Sequence, residues 1–251
     1  MYPYIYIVLP SYLLMALIGG FVALGWMFIR LEKYQIEFSC FLKWVLFSAV
    51  GGFIGSKLLF AVTRIPWLVN NFSVKNLLLL IPQSGLVFYG GLFGVIFTLM
   101  WITRNNPDLR ERVFRLAAPA MPLFHTFGRI GCFLTDCCYG KELETPISIG
   151  AIEITRIPVQ LIEALVELVL FIILVIVDKT SKNVNLLKIY LMTYAVIRFF
   201  DEFLRGDTVR GIYFGMSTAQ WISILIILVY VIKGIDAFVK KQSASEKETY
   251  E

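Results

Sequence analysis

A short segment near the middle of the chain combines an imidazole, a guanidinium, a carboxylate and three thiols. Its reactive side chains are His125, Arg129, Cys132, Asp136, Cys137 and Cys138. Ionisable groups are costly at membrane depth, so such a cluster beside apolar residues predicts a functional site. His125 precedes Arg129 by four residues, which places both on one helical face, as a base beside an anion-binding group requires. A lone histidine is also commonly a hydrogen-bonded packing residue, and the sequence leaves both interpretations open.

Two arginines in different apolar stretches, Arg129 and Arg198, could bind one phosphate together. A planar guanidinium donates paired, charge-assisted hydrogen bonds to phosphate oxygens. Glu202 follows Arg198 by four residues and shares its helical face, which must point away from lipid. Salt bridges from Arg198 to Asp201, Glu202 or Glu163 would explain the same residues without any ligand. The sequence favours neither explanation.

The cysteine spacing does not match that of structural zinc sites, which combine two spaced pairs or add histidines at set intervals. We therefore predict no metal site and no cofactor. Cys137 or Cys138 would act as a nucleophile only with a lowered thiol pKa. The sequence also allows a disulfide if these thiols face an oxidising compartment. Two adjacent cysteines bridge each other only with strain.

The composition indicates a polytopic membrane protein. Of the 251 residues, 58% are hydrophobic and 16% are charged, and the mean hydropathy is +0.75. These values exclude an ordinary soluble domain. Seven apolar stretches could cross a hydrocarbon core of about 30 Å. They lie near residues 4–28, 41–62, 86–103, 113–134, 159–177, 186–204 and 219–233. We predict an all-α membrane protein, a seven-transmembrane-helix bundle over residues 1–241, with a disordered cytoplasmic tail at 242–251.

The basic residues predict the orientation of this bundle. Fourteen of the 23 Lys and Arg residues fall in segments that would share one side, and six fall on the other. Because cytoplasmic loops are enriched in both, the amino terminus should lie outside and the carboxyl terminus in the cytoplasm. The net charge of +5 then needs no nucleic-acid partner. Lys57, Arg129 and Arg198 fall within or at the ends of crossings, so their charges are not explained by a position in a loop.

Glycines and polar residues mark other features of the apolar stretches. Gly51, Gly52 and Gly55 predict close packing of the second stretch against a neighbour. The pair Gly90 and Gly91 serves either helix packing or the approach of backbone amides to an anionic head group. Residues 67–82 predict an interfacial or re-entrant segment. The first stretch lacks a preceding basic region and a following cleavage site, so we expect no removable signal peptide.

Four motifs together resemble the prolipoprotein diacylglyceryl transferase family. They are Phe88-Tyr89-Gly90-Gly91, Gly128-Arg129-Ile130-Gly131-Cys132-Phe133 with Gly140 closing, Pro158 to Glu163, and Tyr194 to Arg205. The likeness extends over most of the chain, from about Tyr12 to Gln220. It implies a seven-helix membrane bundle whose active cavity opens to the outer side and laterally to lipid.

The resemblance implies transfer of the diacylglyceryl group of phosphatidylglycerol to a cysteine thiol of a lipoprotein precursor, with release of glycerol phosphate. Phosphatidylglycerol, the signal peptide of the precursor and membrane lipid are the implied partners, and the bacterial plasma membrane is the implied location. The reaction requires stabilisation of negative charge on the leaving phosphate and deprotonation of the thiol.

The resemblance also assigns roles to individual residues. Arg129 and Arg198 would clamp the phosphate, Arg205 would be a gate or third contact, and Glu202 and Glu163 would orient the guanidiniums. The predicted catalytic residues are His125, Tyr89, Arg129, Arg198 and Glu202. The predicted substrate-binding residues are Arg129, Arg198, Arg205, Lys57, Tyr12, Tyr194, Gly90, Gly91, Cys132, Glu163 and Gln160.

The chain departs from the family pattern at three positions. The family usually has histidine where this chain has Tyr89, asparagine where it has Cys132, and an acidic residue near Cys137. A phenol with a pKa of about 10 is a poorer base than imidazole at neutral pH, so His125 is predicted to take over this role. These departures leave open another acceptor for the same lipid donor, a non-catalytic phospholipid-binding protein, and redox chemistry at Cys137 and Cys138.

Overall fold

The computed structural model describes residues 4–5, 9–63, 73, 87–149, 152–182, 184–207 and 212–250. This part of the chain is mostly helical, as predicted. Its helices are α1 (Ser11–Phe28), α2 (Phe38–Thr63), α3 (Phe88–Ile102), α4 (Pro107–Leu134), α5 (Val159–Thr180), α6 (Leu186–Leu204) and α7 (Thr218–Tyr250). Its strands form antiparallel pairs, which are β1 (Tyr4–Ile5) with β2 (Leu9–Pro10), β3 (Glu142–Ile149) with β4 (Ile152–Arg156), and β5 (Ile212–Tyr213) with β6 (Met216–Ser217).

Each of the seven predicted apolar stretches overlaps one of these helices. Helices α1, α2 and α5 are long and apolar enough to cross a bilayer, and α3 and the Thr218–Gly234 part of α7 are shorter apolar helices. Large apolar side chains are exposed on several helices, for example Phe21, Phe97 and Leu165. Such surfaces suit lipid better than water. The chain is therefore a helical membrane protein, while the number of crossings and the sidedness of the termini stay predictions.

The first predicted stretch differs from the structure at its start. The first apolar stretch begins as the β1–β2 hairpin, and its helix starts only at Ser11. Helix α7 extends to Tyr250, and the disorder expected of residues 242–251 stays a prediction. The segment predicted at residues 67–82 lies outside the described residues, apart from Ser73.

The chain forms two compact units. Unit 1 comprises Met1–Gly19 and Pro122–Glu251, and unit 2 comprises Gly20–Met121. The buried core of unit 2 includes Trp44 of α2, Leu99 of α3 and Leu116 of α4.

In unit 2, α2 and α3 approach closely because glycines replace side chains at their contact. A Cβ atom on Gly55 would overlap the carbonyl oxygen of Gly90, and one on Gly94 would overlap that of Gly51. Next to this contact, the Ser56 hydroxyl donates a hydrogen bond to the backbone carbonyl that precedes α3. The close packing predicted from the glycine run is confirmed.

In unit 1, short connections set the starting points of the helices that carry the polar residues. The side chain of Asn185 accepts a hydrogen bond from the Lys188 amide at 2.9 Å and so caps the start of α6. This cap follows the end of α5 at Thr180 by a few residues, so the two helices pack as neighbours. Leu165 of α5 and Phe200 of α6 are exposed, which leaves the opposite, polar faces of both helices inside.

Gly55→Ala should lower the free energy of unfolding by about 1–3 kcal/mol, because the added methyl group must push α2 and α3 apart. Gly25→Ala is the matched control, since no described atom lies within 4 Å of a Cβ at that helical position. It should be neutral or slightly stabilising because alanine favours helix. Thermal unfolding of both variants in detergent tests this, and equal melting temperatures would contradict the packing argument.

Candidate active site

Three helices of unit 1 each present a buried polar stripe to a common interior. Side chains three or four residues apart share a helical face, because the helix has 3.6 residues per turn. The stripes are His125, Arg129 and Cys132 on α4, Gln160, Glu163 and Glu167 on α5, and Tyr194, Arg198 and Glu202 on α6. All nine residues are buried. Eight of them were predicted as site residues from the sequence.

Glu163 lies between the two arginines that were proposed as a phosphate clamp. Its Oε1 is 2.6 Å from Nη2 of Arg129, and its Oε2 is 3.8 Å from Nη1 of Arg198. The three side chains are each more than nine-tenths buried. One carboxylate therefore connects α4, α5 and α6, and the two guanidiniums lie at one site.

Arg198 contacts every carboxylate that the sequence suggested as a salt-bridge partner. Besides Glu163, its Nη1 lies 2.6 Å from Asp201 Oδ2, and its Nη2 lies 2.7 Å from Glu202 Oε2. These contacts hold the guanidinium in a defined orientation. A phosphate entering the site must therefore join or displace existing ion pairs.

His125 forms part of the same buried cluster. Its Nε2 accepts a hydrogen bond from Nε of Arg129 at 3.1 Å. Because that bond uses the Nε2 lone pair, the neutral ring carries its proton on Nδ1, which faces Glu167 Oε1 at 3.2 Å. The imidazole also meets the Tyr194 ring edge to face, with centroids 5.4 Å apart. His125 can accept a proton at Nε2 only after Arg129 has left that position.

Glu167 is a site residue that our sequence reasoning missed. Its side chain is fully buried and its carboxylate faces His125. The signal was present, since Gln160, Glu163 and Glu167 repeat at helical spacing in an otherwise apolar stretch. A face that carries three polar groups at this spacing must point away from lipid.

The loop after α4 is held by contacts between its backbone and residues of α5 and of the segment after α6. Nε2 of Gln160 donates a hydrogen bond to the carbonyl of Cys137 at 2.8 Å. Gly140 pairs with Arg205 in an antiparallel bridge just beyond α6. A Cβ on Gly140 would overlap the carbonyl oxygen of Ile157, so this position requires glycine. The loop therefore links the end of α4 with the start of α5 and the end of α6.

Arg205, predicted as a gate or third phosphate contact, is held by Asp207. Its Nε and Nη2 donate to the two carboxylate oxygens of Asp207 at 2.9 and 2.8 Å. Burial disfavours the charged guanidinium, but the hydrogen bonds to Asp207 outweigh this cost, and the pKa of Arg205 is raised. Asp207 is a second residue that the sequence analysis did not single out.

Tyr12 belongs to the same unit and lies against α4. Gly131 packs against its backbone and ring, between the positions of Arg129 and Cys132 along the helix. Tyr12 is partly exposed, at 38%. Its predicted role in substrate binding is compatible with this position at the edge of the buried cluster.

The remaining predicted site residues belong to unit 2. Tyr89 is buried and stacks on Phe93, with ring centroids 5.9 Å apart. Gly90 contacts the backbone of α2, so helix packing accounts for it, and the neighbouring Gly91 also lies near α2. The ammonium group of Lys57 lies 5.5 Å from the ring centroid of the phenylalanine one turn before it. Roles for these four residues in catalysis or binding stay predictions.

Glu163→Gln should destabilise the protein by about 3–5 kcal/mol, because it leaves Arg129 and Arg198 without the buried charge that they share. Glu142→Gln is the matched control. It removes a carboxylate from an exposed pair with Arg156, at 3.9 Å, and should change stability little. Thermal unfolding under identical conditions measures both effects. Similar small losses in the two variants would contradict the central place given to Glu163.

The chain is similar to known proteins over most of its length. The family described as "Prolipoprotein diacylglyceryl transferase" matches residues 4–235. A phosphatidylglycerol–prolipoprotein diacylglyceryl transferase of Clostridium tetani is 32% identical over 202 residues, which cover 76% of this chain and 79% of that protein. Proteins of the same name from Idiomarina loihiensis and Helicobacter hepaticus are 31% and 28% identical, over 82% and 92% of this chain and 77% and 85% of their own lengths. This chain therefore belongs to the prolipoprotein diacylglyceryl transferase family.

Proposed function

We propose that this chain transfers the diacylglyceryl group of phosphatidylglycerol to a cysteine thiol of a lipoprotein precursor, and that the buried cluster of α4, α5 and α6 is its catalytic centre. The assignment of the catalytic centre rests on one observation, that Arg129 and Arg198 share the carboxylate of Glu163. The assignment of the reaction is supported by the similar proteins from Clostridium tetani and Idiomarina loihiensis, which are named for it.

The transfer is a displacement at the glyceryl carbon that bears the phosphate. The thiol sulfur forms a bond to this carbon. The bond between this carbon and the oxygen that links it to phosphorus breaks, and glycerol phosphate leaves. The phosphodiester carries one negative charge, whereas the departing phosphate monoester acquires a second. Groups that stabilise this new charge lower the barrier specifically, because they bind the transition state better than the substrate. We assign this role to Arg129 and Arg198, which share the carboxylate of Glu163.

The acceptor thiol must lose a proton before or during its attack. His125 is the candidate proton acceptor, since it is the only imidazole in the chain and lies beside Arg129. When Arg129 turns toward a bound phosphate, its Nε–H leaves Nε2 of His125, which can then accept the proton. Glu167 faces the opposite ring nitrogen and stabilises the imidazolium that forms. Binding of the lipid donor and activation of the thiol are coupled in this scheme.

The cellular setting of this proposal is the bacterial plasma membrane. The three helices that are long enough to cross a bilayer and the apolar α3 and α7 support a multi-pass arrangement. The distribution of Lys and Arg supports seven crossings with the amino terminus outside and the carboxyl terminus in the cytoplasm. Phosphatidylglycerol would enter from the membrane, and the signal peptide of the precursor would supply the acceptor cysteine.

Arg129→Lys and Arg198→Lys should each lower kcat by at least about 100-fold, because lysine keeps the charge but loses the planar pair of donors. The assay measures transfer of labelled lipid from phosphatidylglycerol to a precursor peptide, with a Cys→Ser peptide as the blank. Arg104→Lys, at an exposed residue stacked on Trp101, is the matched control and should keep full activity. Wild-type rates in both buried-arginine variants would refute the phosphate clamp.

His125→Gln should lower kcat at neutral pH and recover activity as the pH rises toward the acceptor thiol's ordinary pKa of about 8.5. The recovery is expected because hydroxide then generates the thiolate without a base from the protein. A pH–rate profile of the variant beside the wild type measures it. A loss that is equal at all pH values would show instead that His125 only positions Arg129.

A further inference from the structure

We infer that Cys132, Cys137 and Cys138 form a binding site for one thiophilic metal ion, of the zinc(II) or copper(I) class. All three are free thiols, and their sulfur atoms lie within 4.8 Å of one another. Zinc–sulfur bonds of about 2.3 Å place two thiolates of a tetrahedral site about 3.8 Å apart. Small side-chain rotations would therefore let all three bind one ion. This inference does not depend on the proposed transferase reaction.

The backbone around the thiols is shaped to bring them together. Asp136 and Cys138 have φ angles of 54° and 57°, in the left-handed region that residues with side chains rarely adopt. Such conformations persist where surrounding contacts enforce them, and they cluster at ligand sites. The Cys137 amide donates a hydrogen bond to the carbonyl of Cys132 at 3.1 Å, which folds the loop back on the end of α4. Adjacent cysteines in extended backbone would point to opposite sides.

Neighbouring polar groups hold the loop in place and would offset the charge of a thiolate-bound ion. The Thr135 hydroxyl lies 3.4 Å from the sulfur of Cys137, and the Gln160 side chain holds the carbonyl of the same residue. Three thiolates and a divalent ion would carry one net negative charge. The guanidiniums of Arg129 and Arg205 both interact electrostatically with Cys138 and would offset this charge. A site of this kind can therefore exist away from bulk water.

Two alternatives account for less of the geometry. His125, Glu163 and Glu167 also converge within 4.8 Å, but Arg129 already supplies the cation there, at 2.6 Å from Glu163. A disulfide would join only two of the three thiols and would leave the third unused. An ion would use all three, fasten the loop to the end of α4, and keep one coordination position for water. Cysteine spacing alone argued against a metal, whereas the placement of the three sulfurs argues for one.

Zinc titration of the purified, reduced, metal-free full chain in detergent tests this inference. We expect one Zn²⁺ bound per chain and a rise in the melting temperature. Each of Cys132→Ser, Cys137→Ser and Cys138→Ser should lower the apparent affinity by at least the roughly 10- to 100-fold that loss of an outer-shell partner costs. Cys40→Ser, at a cysteine in α2 outside this group, is the matched control and should bind like the wild type.

Co²⁺ in place of Zn²⁺ gives a second readout that needs no variant, since thiolate ligands produce an intense sulfur-to-metal charge-transfer absorption. Displacement of Zn²⁺ by equimolar Cu⁺ would support a site built from thiolates, because soft thiolate ligands favour copper(I). Two outcomes would overturn the inference. One is Zn²⁺ binding by the wild type that is no greater than by a variant in which Cys132, Cys137 and Cys138 are all replaced by serine. The other is a Co²⁺ spectrum without thiolate bands. Melting temperatures of the metal-free variants identify any that fail to fold.

Discussion

The carboxylate of Glu163, buried between two guanidiniums, is the interaction on which the rest of unit 1 depends. Moving three charged groups out of water is expensive, and their mutual attraction compensates for that cost only when their positions are well defined. Arg129, Glu163 and Arg198 come from three different helices, so their pairing sets the rotation and depth of α4, α5 and α6. The lipid-facing sides of these helices follow from the same rotation.

The same pairing fixes the directions of both guanidiniums, which the proposed reaction requires. Both guanidiniums are oriented before any ligand arrives, Arg129 by Glu163 and His125, and Arg198 by three carboxylates. Preorganised donors contribute most where charge develops during a reaction, because they need little rearrangement at that moment. The bond from Arg129 to Nε2 of His125 connects the residue proposed to bind the phosphate with the residue proposed to accept the proton. In the proposed reaction, a phosphate that draws Arg129 away also frees the base.

The loop at the end of α4 extends this arrangement toward the ends of α5 and α6. Gly140 allows the backbone to pass close to Ile157, and its bridge to Arg205 connects the loop with the segment after α6. The strained conformation of Cys138 lies in the same loop. The thiols and the paired arginines are therefore neighbouring parts of one unit, with about one helical turn between Arg129 and Cys132.

The sequence by itself determined the class of the protein, the positions of its helices and most of the residues in the buried cluster. Composition and helical spacing are local properties, and lipid forbids unpaired charge, so a polar stripe in an apolar helix must face inward. The sequence analysis missed Glu167 and Asp207. Only the tertiary structure decided that Glu163 serves two arginines, that Arg129 occupies Nε2 of His125, and that three thiols meet. These pairings depend on the rotation of separate helices and on two unusual φ angles, and neither can be read from spacing along one helix.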